Sequence, residues 1–504
     1  MDRSEAYSHC SNRGIAAPAE PSICRAGQPK LTRARASRRL QCSARIVLLL
    51  LAAGFAGQPV CGWGQTAQPS PTPAPGAPAT TAPIDTTGQL AAPPSVGPGI
   101  PALPAITDTT NPAALDYVIQ YPMFGYLGFR KDLADKGIDL IAHYISETMS
   151  NTRGIGGTGT AYAQQVDVGA SFDLDKLGVW SDAIARFAMT DRAGRSLAAD
   201  RTGAYFAYQE IFGQGQNLRF NEISVDKSLL QKDLAVKVGF YPMGNDFSTL
   251  PYVCNFTNVA FCGHPQSEPV NSGWSDAPAG RWGGRIRYHI TDELQIQGGV
   301  YDVNPRVTRR QDGFKLNFAG NTGVIAPIEI GYQLGKNPED YGGTYKIGGY
   351  YDTSAAPDLA NPAVFDQGRQ GLYLEAAQQI YKWGPGLRSG LALFGIFTIS
   401  DQNTAKFKHY YEAGAAARGV FPGRELDILS LGWVRTDINP RFQFQLATAG
   451  SPVQTNEQLI ELTYTIQVTP SLQFRPGVQY DIRPGATSTH PNTWVFGFQV
   501  KLTL

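Results

Sequence analysis

The sequence predicts an all-β fold, a transmembrane antiparallel β-barrel of about 16 strands with one short N-terminal helix. Three observations carry that expectation. Apolar and polar residues alternate with period two through segments of about ten residues, as a strand with one face to lipid and one to water requires. Sixteen such segments follow one another between residue 139 and the C-terminus. The face that would meet lipid is nearly free of charge, in a chain of 504 residues with 17% charged and 11% aromatic side chains. Soluble domains usually carry roughly 25% charge. The longest apolar run, Ile46 to Gly57, is shorter than the ~20 residues of a spanning helix, which excludes a polyhelical transporter. A hydrophobic content of 42% excludes a disordered chain, and 43 basic against 42 acidic residues exclude a basic nucleic-acid binder.

Residues 1–64 read as a targeting segment. Arg33, Arg35, Arg38, Arg39 and Arg45 run into the apolar stretch from Ile46 to Phe55, an n-region followed by an h-region. Small residues Gly62 and Gly64 place cleavage near Gly64-Gln65. Ser37-Arg38-Arg39 is an incomplete twin-arginine motif. Cys61 follows Gln58-Pro59-Val60 rather than the small residues of a lipoprotein signal, so a simple cleaved leader is the reading. Without it, 34 basic and 39 acidic residues remain and the formal charge becomes −5.

Residues 65–105 are rich in Pro, Ala, Thr and Gly with Asp85 as the sole charge, the composition of an extended periplasmic tether. Residues 106–137 form a short helical segment. Leu127, Leu133 and Ala134 supply its apolar positions and Gly137 its stop. Residues 138–504 are the barrel. Its strands are expected near 139–149, 162–173, 182–192, 218–228, 234–242, 281–290, 294–302, 326–335, 342–353, 370–382, 387–400, 425–436, 440–449, 457–468, 471–483 and 493–503, with 203–213 assigned to a loop. A soluble β-sandwich alternates too. The strand number, the uncharged outer face and a final strand bearing Trp494, Phe496 and Phe498 favour a closed barrel, the one form in which strands cross lipid. Sixteen strands enclose a water-filled lumen.

Four cysteines leave with the leader. Cys254 and Cys262, with seven residues between them, are expected to form a disulfide closing a small loop in this exported chain. Only His264 is near them, so no metal site is expected.

If apolar residues face lipid, Arg186, Arg285, Arg287, Glu375, Arg441, Glu461 and Arg475 face the channel. Guanidinium groups donate forked hydrogen bonds to vicinal hydroxyls and carboxylates accept them, so such a wall suits sugars, although any polar pore also needs charges that solvate and pair with one another. The segment Asn271-Ser-Gly-Trp274-Ser-Asp276 to Arg281-Trp282-Gly-Gly-Arg285 adds Trp274 and Trp282. Indole faces stack on sugar rings, and they also form interfacial belts.

At this motif the chain resembles the carbohydrate-selective porin (OprB) family. The resemblance runs from Tyr126 to Leu504. It rests on Leu133-Ala-Asp-Lys-Gly-Ile138, the cysteine pair ending Phe261-Cys262-Gly263, Gly273-Trp274 with Pro278 and Arg281-Trp282-Gly283, Ile399-Ser-Asp401, and Pro470-Ser-Leu-Gln-Phe-Arg-Pro-Gly-Val-Gln-Tyr480-Asp-Ile with Pro491-Asn492. Leu504 stands where such barrels commonly end in Phe. The resemblance implies passive diffusion of glucose-like monosaccharides through the outer membrane of a Gram-negative bacterium. It implies no cofactor, no nucleic acid, contact with outer-membrane lipid, and a monomer or homotrimer. A general or weakly anion-favouring porin is the alternative. An exported glycoside hydrolase would need two carboxylates flanking one bond, and Glu375 and Glu461 are too far apart in sequence to be argued into a pair, so no enzyme is expected.

Overall fold

The computed structural model describes residues 129–335, 340–383, 389–469 and 471–503. The expected leader, the tether and the first part of the helical segment lie outside these residues. Helix α1 (Phe129–Asp135) opens the described chain and leads into β1 (Ile138–Asn151), β2 (Gly159–Asp173), β3 (Ala183–Gly194), β4 (Leu218–Leu229) and β5 (Leu234–Tyr241). After the short helix α2 (Ser267–Asn271) come β6 (Arg281–His289), β7 (Leu294–Val303), β8 (Gly323–Leu334), β9 (Gly343–Pro357), β10 (Phe365–Tyr381) and β11 (Gly390–Ser400). Strands β12 (Phe407–Arg418) and β13 (Ile428–Ile438) precede helix α3 (Pro440–Thr448), and β14 (Asn456–Thr469), β15 (Leu472–Ile482) and β16 (Thr493–Thr503) complete the set.

Each strand pairs antiparallel with its sequence neighbours, and β1 pairs with β16, Glu147 opposite Gln499, closing a 16-strand barrel. Closure removes every sheet edge, which a lipid environment with no hydrogen-bonding solvent demands. One barrel end carries short connections such as 230–233 and 290–293, together with the start of β1 and the end of β16. The other carries the long connections 195–217, 242–280, 304–322 and 439–455. Outer-membrane barrels keep short turns on the periplasmic side and long loops outside, which orients the molecule.

The alternation explains the outer wall. Trp494, Phe496 and Phe498 on β16, and Ile328, Ile330 and Tyr332 on β8, are exposed outward, while Val495 and Glu329 between them and Gln499 after Phe498 point in and are buried. The inner face is less uniformly polar than the pattern implies. Phe394 and Ile396 on β11, Tyr410 on β12, Val434 on β13 and Leu459 on β14 point inward and pack against Phe206, Tyr208, Phe256 and Phe261, which come from the two longest loops. The folded core of this barrel therefore lies inside its lumen.

Two expected elements differ from the structure. Residues 440–449 are not a strand: they contain α3, whose N-terminus is capped by the Asn439 side chain accepting from the Arg441 N–H, with Pro440 in the first turn. Phe442 and Leu446, four apart, fit a helix as well as the strand pattern does, and the Asn-Pro start decides. The missing strand is β12, whose Ala413-Gly-Ala-Ala-Ala417 stretch has low strand propensity and no alternation to read. The expected total of sixteen is met because these two misreadings cancel. Loop 203–213 and the helix before Gly137 are where the sequence puts them.

Candidate functional site

Two loops from the long-loop end fold into the lumen and are held by inward-pointing wall residues. Loop 195–217 attaches along β14, β15, β16 and β1. Glu457 accepts from the Tyr205 and Phe206 N–H groups at 3.0 and 2.9 Å, and Tyr208 Oη donates to Asp481 at 2.7 Å. Gln499 Nε2 donates to both Glu210 (2.7 Å) and Glu147 (2.8 Å), tying the loop to the seam that closes the barrel.

Loop 242–280 crosses the lumen. Its Ser248 N–H reaches Glu329 on β8 at 2.8 Å and its hydroxyl reaches Glu375 on β10 at 2.6 Å. The Gly273 N–H donates to Asp352 on β9 at 2.7 Å. On the far wall, Glu461 accepts from Thr257 N (2.8 Å), Thr257 Oγ1 (2.6 Å) and Asn258 N (3.1 Å). Arg475 on β15 donates to the Cys254 and Phe256 carbonyls at 3.0 and 3.3 Å. The Cys254–Cys262 disulfide is formed, with S–S 2.05 Å, and encloses this anchored stretch. Inside it Phe256 and Phe261 stack at 4.3 Å and press on Gly432 of β13, where a Cβ would lie 2.6 Å from Phe261. Only glycine leaves room for that approach.

Between β3 and β6 the wall is charged. Arg285 bridges Asp226 (2.9 Å) and the loop carboxylate Asp246 (3.0 Å). Lys237 contacts Glu222 at 3.0 Å and Asp246 at 3.8 Å, and its ammonium lies 4.0 Å over the Tyr241 ring. Arg287 donates to Gln297 at 2.8 Å, and Gln297 in turn donates to Glu329. Burial would push the Asp246 carboxyl up, but Arg285, Lys237, Arg287 and Arg186 together outweigh it and hold the group down at about 2. Glu268 in the same loop shows the opposite balance: burial, reinforced by Glu375, holds it well above the ordinary carboxylate range. The wall thus presents fixed cations, Arg186, Lys237, Arg285 and Arg287, interleaved with Glu222, Asp226, Asp246 and Glu329. Arg186 is the half-buried one among these cations.

The expected site residues divide by location. Arg186, Arg285, Arg287, Glu375, Glu461 and Arg475 all point inward. Of these, Arg186, Arg285 and Arg287 share the charged wall, whereas Glu375, Glu461 and Arg475 hold loop backbone. Trp274 is buried inside loop 242–280 against His264, Tyr350 and Tyr373. Trp282 lies on the outer face of β6, packed on Phe240 and donating to the Leu316 carbonyl at 2.6 Å. Arg441 is corrected: with 440–448 helical it sits in a loop at the outer rim, paired with Asp358 at 2.5 Å, and lines no strand. Glu222, Asp226, Glu329 and Asp246 were not among the expected residues. Glu222, Asp226 and Glu329 stood in plain alternation, Glu329 between Ile328 and Ile330, and Asp246 lies in a loop where no periodicity exists. Among the described residues, a possible metal-ligating group of Glu210, Cys254 and Cys262 forms, but both sulfurs are spent in the disulfide.

The family described as carbohydrate-selective porin, OprB family, matches residues 157–504. Porin B of Pseudomonas aeruginosa is 28% identical over 407 residues, spanning 74% of this chain and 89% of that protein. The putative porin QuiX of Acinetobacter baylyi is 27% identical over 402 residues, spanning 74% and 91%. The high pH structure of Pseudomonas putida OprB superposes with a TM-score of 0.72 at 30% identity, covering 75% of this chain and 97% of that one.

Proposed function

This chain belongs to the carbohydrate-selective porin family, OprB, and from that premise we propose that its loop-narrowed, mixed-charge lumen passes glucose-like monosaccharides in preference to other solutes. It is an outer-membrane channel of a Gram-negative bacterium and not an enzyme; solute moves down its own gradient. The observation that carries the finer reading is the charged wall from β3 to β9 together with the loop carboxylate Asp246. Forked guanidinium donors alternate there with carboxylate acceptors, so a sugar's hydroxyls exchange water for wall partners stepwise. Five cations, Arg186, Lys237, Arg285, Arg287 and Lys346, face four carboxylates, Glu222, Asp226, Asp246 and Glu329, the last paired with Lys346 at 3.5 Å. This near balance favours neutral polyols over the weakly anion-favouring alternative.

Arg186 is the residue we place against the passing sugar, because Arg285 and Arg287 are already committed to partners within the wall. Glu375, Glu461 and Arg475 serve permeation indirectly, by fixing the loops that set the bore. The outer surface supports self-association rather than a monomer. On β1 and β2 the lipid-facing positions include Ser150 and Thr160, hydrogen-bonded at 2.7 Å, and Tyr144 and Tyr162, bonded at 2.7 Å. A hydroxyl-rich face meets another protein better than it meets acyl chains.

Liposome swelling tests the reading. Vesicles carrying the protein should swell faster in glucose than in neutral or charged non-sugars of similar size, and Arg186→Gln should narrow that ratio while the barrel still forms. Equal rates for all solutes in the unaltered protein would reduce it to a general porin.

A further inference from the structure

A charged hollow of about 440 Å³ lies on the barrel's outer wall at its loop end, lined among others by Lys408, His409, Arg435, Asp437, Arg441 and Asn456. It does not belong to the lumen. His409 pairs with Asp437 and Asp437 with Asn456 across β12, β13 and β14, all on the outward parity, whereas Tyr410, Thr436 and Glu457 beside them are buried inside. Lys408 sits at the bulge between Phe407 and His409.

Toward the barrel's middle the same outer face turns aromatic and then aliphatic. Phe397 stacks on His409 at 6.3 Å and touches Tyr411 at 5.2 Å. Trp433 follows, and Leu431, Ile460 and Leu462 are exposed beyond it. Aromatic side chains mark the level of lipid headgroups, so the hollow opens just above them, on the outer-leaflet side.

Its lining is rich in cations: Lys408, Arg435 and Arg441 stand there with one carboxylate, Asp437, which Arg435 holds at 2.8 Å and 2.7 Å, while Asp358 and Asp401 act on Arg441 and Lys408 from outside the lining. Arg441 gives one nitrogen to Asp358 at 2.5 Å, and Lys408 gives one bond to the Ser400 carbonyl at 2.7 Å. An ammonium has three donors and a guanidinium five, so each cation keeps donors that these bonds do not use. Basic side chains with spare donors at the headgroup level attract anionic lipid headgroups. We propose that this hollow binds the phosphate of an anionic outer-leaflet lipid headgroup, with Lys408, Arg435 and Arg441 as its donors and His409 and Asn456 shaping its sides.

The probe is bisphosphorylated lipid A, compared with its dephosphorylated form, on the full-length protein in micelles, with retained lipid read by native mass spectrometry. The unaltered protein should retain the phosphorylated lipid, and retain the dephosphorylated one about tenfold less, the loss expected for a charge-assisted contact. Lys408→Ala with Arg435→Gln should lower retention of the phosphorylated lipid by a similar factor, while Lys408→Arg keeps it. Equal retention of the two lipids by the unaltered protein would overturn the proposal whether or not the double variant folds. So would equal retention by a double variant whose barrel still shows heat-modifiable migration. Displacement of the lipid by millimolar inorganic phosphate would assign the hollow to soluble anions and overturn it as well.

Discussion

Replacing Glu461 with alanine should free the middle of the lumen-crossing loop without opening the barrel. This carboxylate accepts from Thr257 N, Thr257 Oγ1 and Asn258 N at 2.8, 2.6 and 3.1 Å. A hydrogen bond to a charged group contributes about 1.5–3 kcal/mol, but the three fall on the two oxygens of one carboxylate, two of them on the same oxygen, and lumen water re-solvates the freed donors, so the combined loss is about 3 kcal/mol. That raises the open population of the loop about 100-fold. Amide hydrogen exchange in micelles reads it directly: protection at Thr257 and Asn258 should fall by about that factor. Protection on β15 and β16 should stay, because their ladder does not depend on this residue. Single-channel conductance should rise or become unsteady in parallel. Unchanged protection at Thr257 and Asn258 would refute the claim that wall carboxylates hold the constriction.

Three further outcomes follow from the same geometry. Gly432→Val places a side chain where a Cβ already comes within 2.6 Å of Phe261 and 2.9 Å of Phe256; overpacking of about 1–3 kcal/mol should appear as proteolysis within 253–262 before any loss of barrel migration on gels. Asp246→Asn tests the charged wall by pH. Because the Asp246 carboxyl is held below its ordinary range, at about 2, its stabilisation is present above the unfolded value and is lost as pH falls through about 2. The difference in loop protection between the unaltered protein and the variant, on the order of 2 kcal/mol, should be constant from neutral pH to pH 5 and shrink below about 4. Reducing the Cys254–Cys262 disulfide should loosen the same anchored stretch by about 2–3 kcal/mol, the chain-entropy contribution of a short closed loop, measured as faster exchange confined to that stretch.

Much of the barrel is legible in the sequence because lipid and lumen impose opposite chemistry on adjacent residues. The alternation Ile460, Leu462, Tyr464 against Glu461, Thr463, Thr465 fixes both the strand and its inward face. Strand β12 escapes because Ala413, Ala415 and Ala417 on its outer face are not strongly apolar and Ala416 on its inner face is not polar, and α3 is misread because Arg441, Gln443 and Gln445 happen to alternate with apolar residues after a helix-starting Asn-Pro. Parity also tells that Glu375 and Glu461 point inward. What they touch lies about one hundred to two hundred residues away in the chain, in loops with no period, so nothing local distinguishes a sugar-facing carboxylate from a loop anchor. The tryptophans illustrate the same limit: Trp274 and Trp282 flank one motif, yet one is buried in a loop and the other faces outward.

The central claim, a loop-narrowed lumen whose charged wall engages sugar, is tested most directly by titrating glucose onto single channels in planar bilayers. The ion current should fall in a saturable way with glucose, and the half-blocking concentration should rise in Arg186→Gln. A current that falls only linearly, in proportion to solution viscosity and identically in the variant, would contradict it.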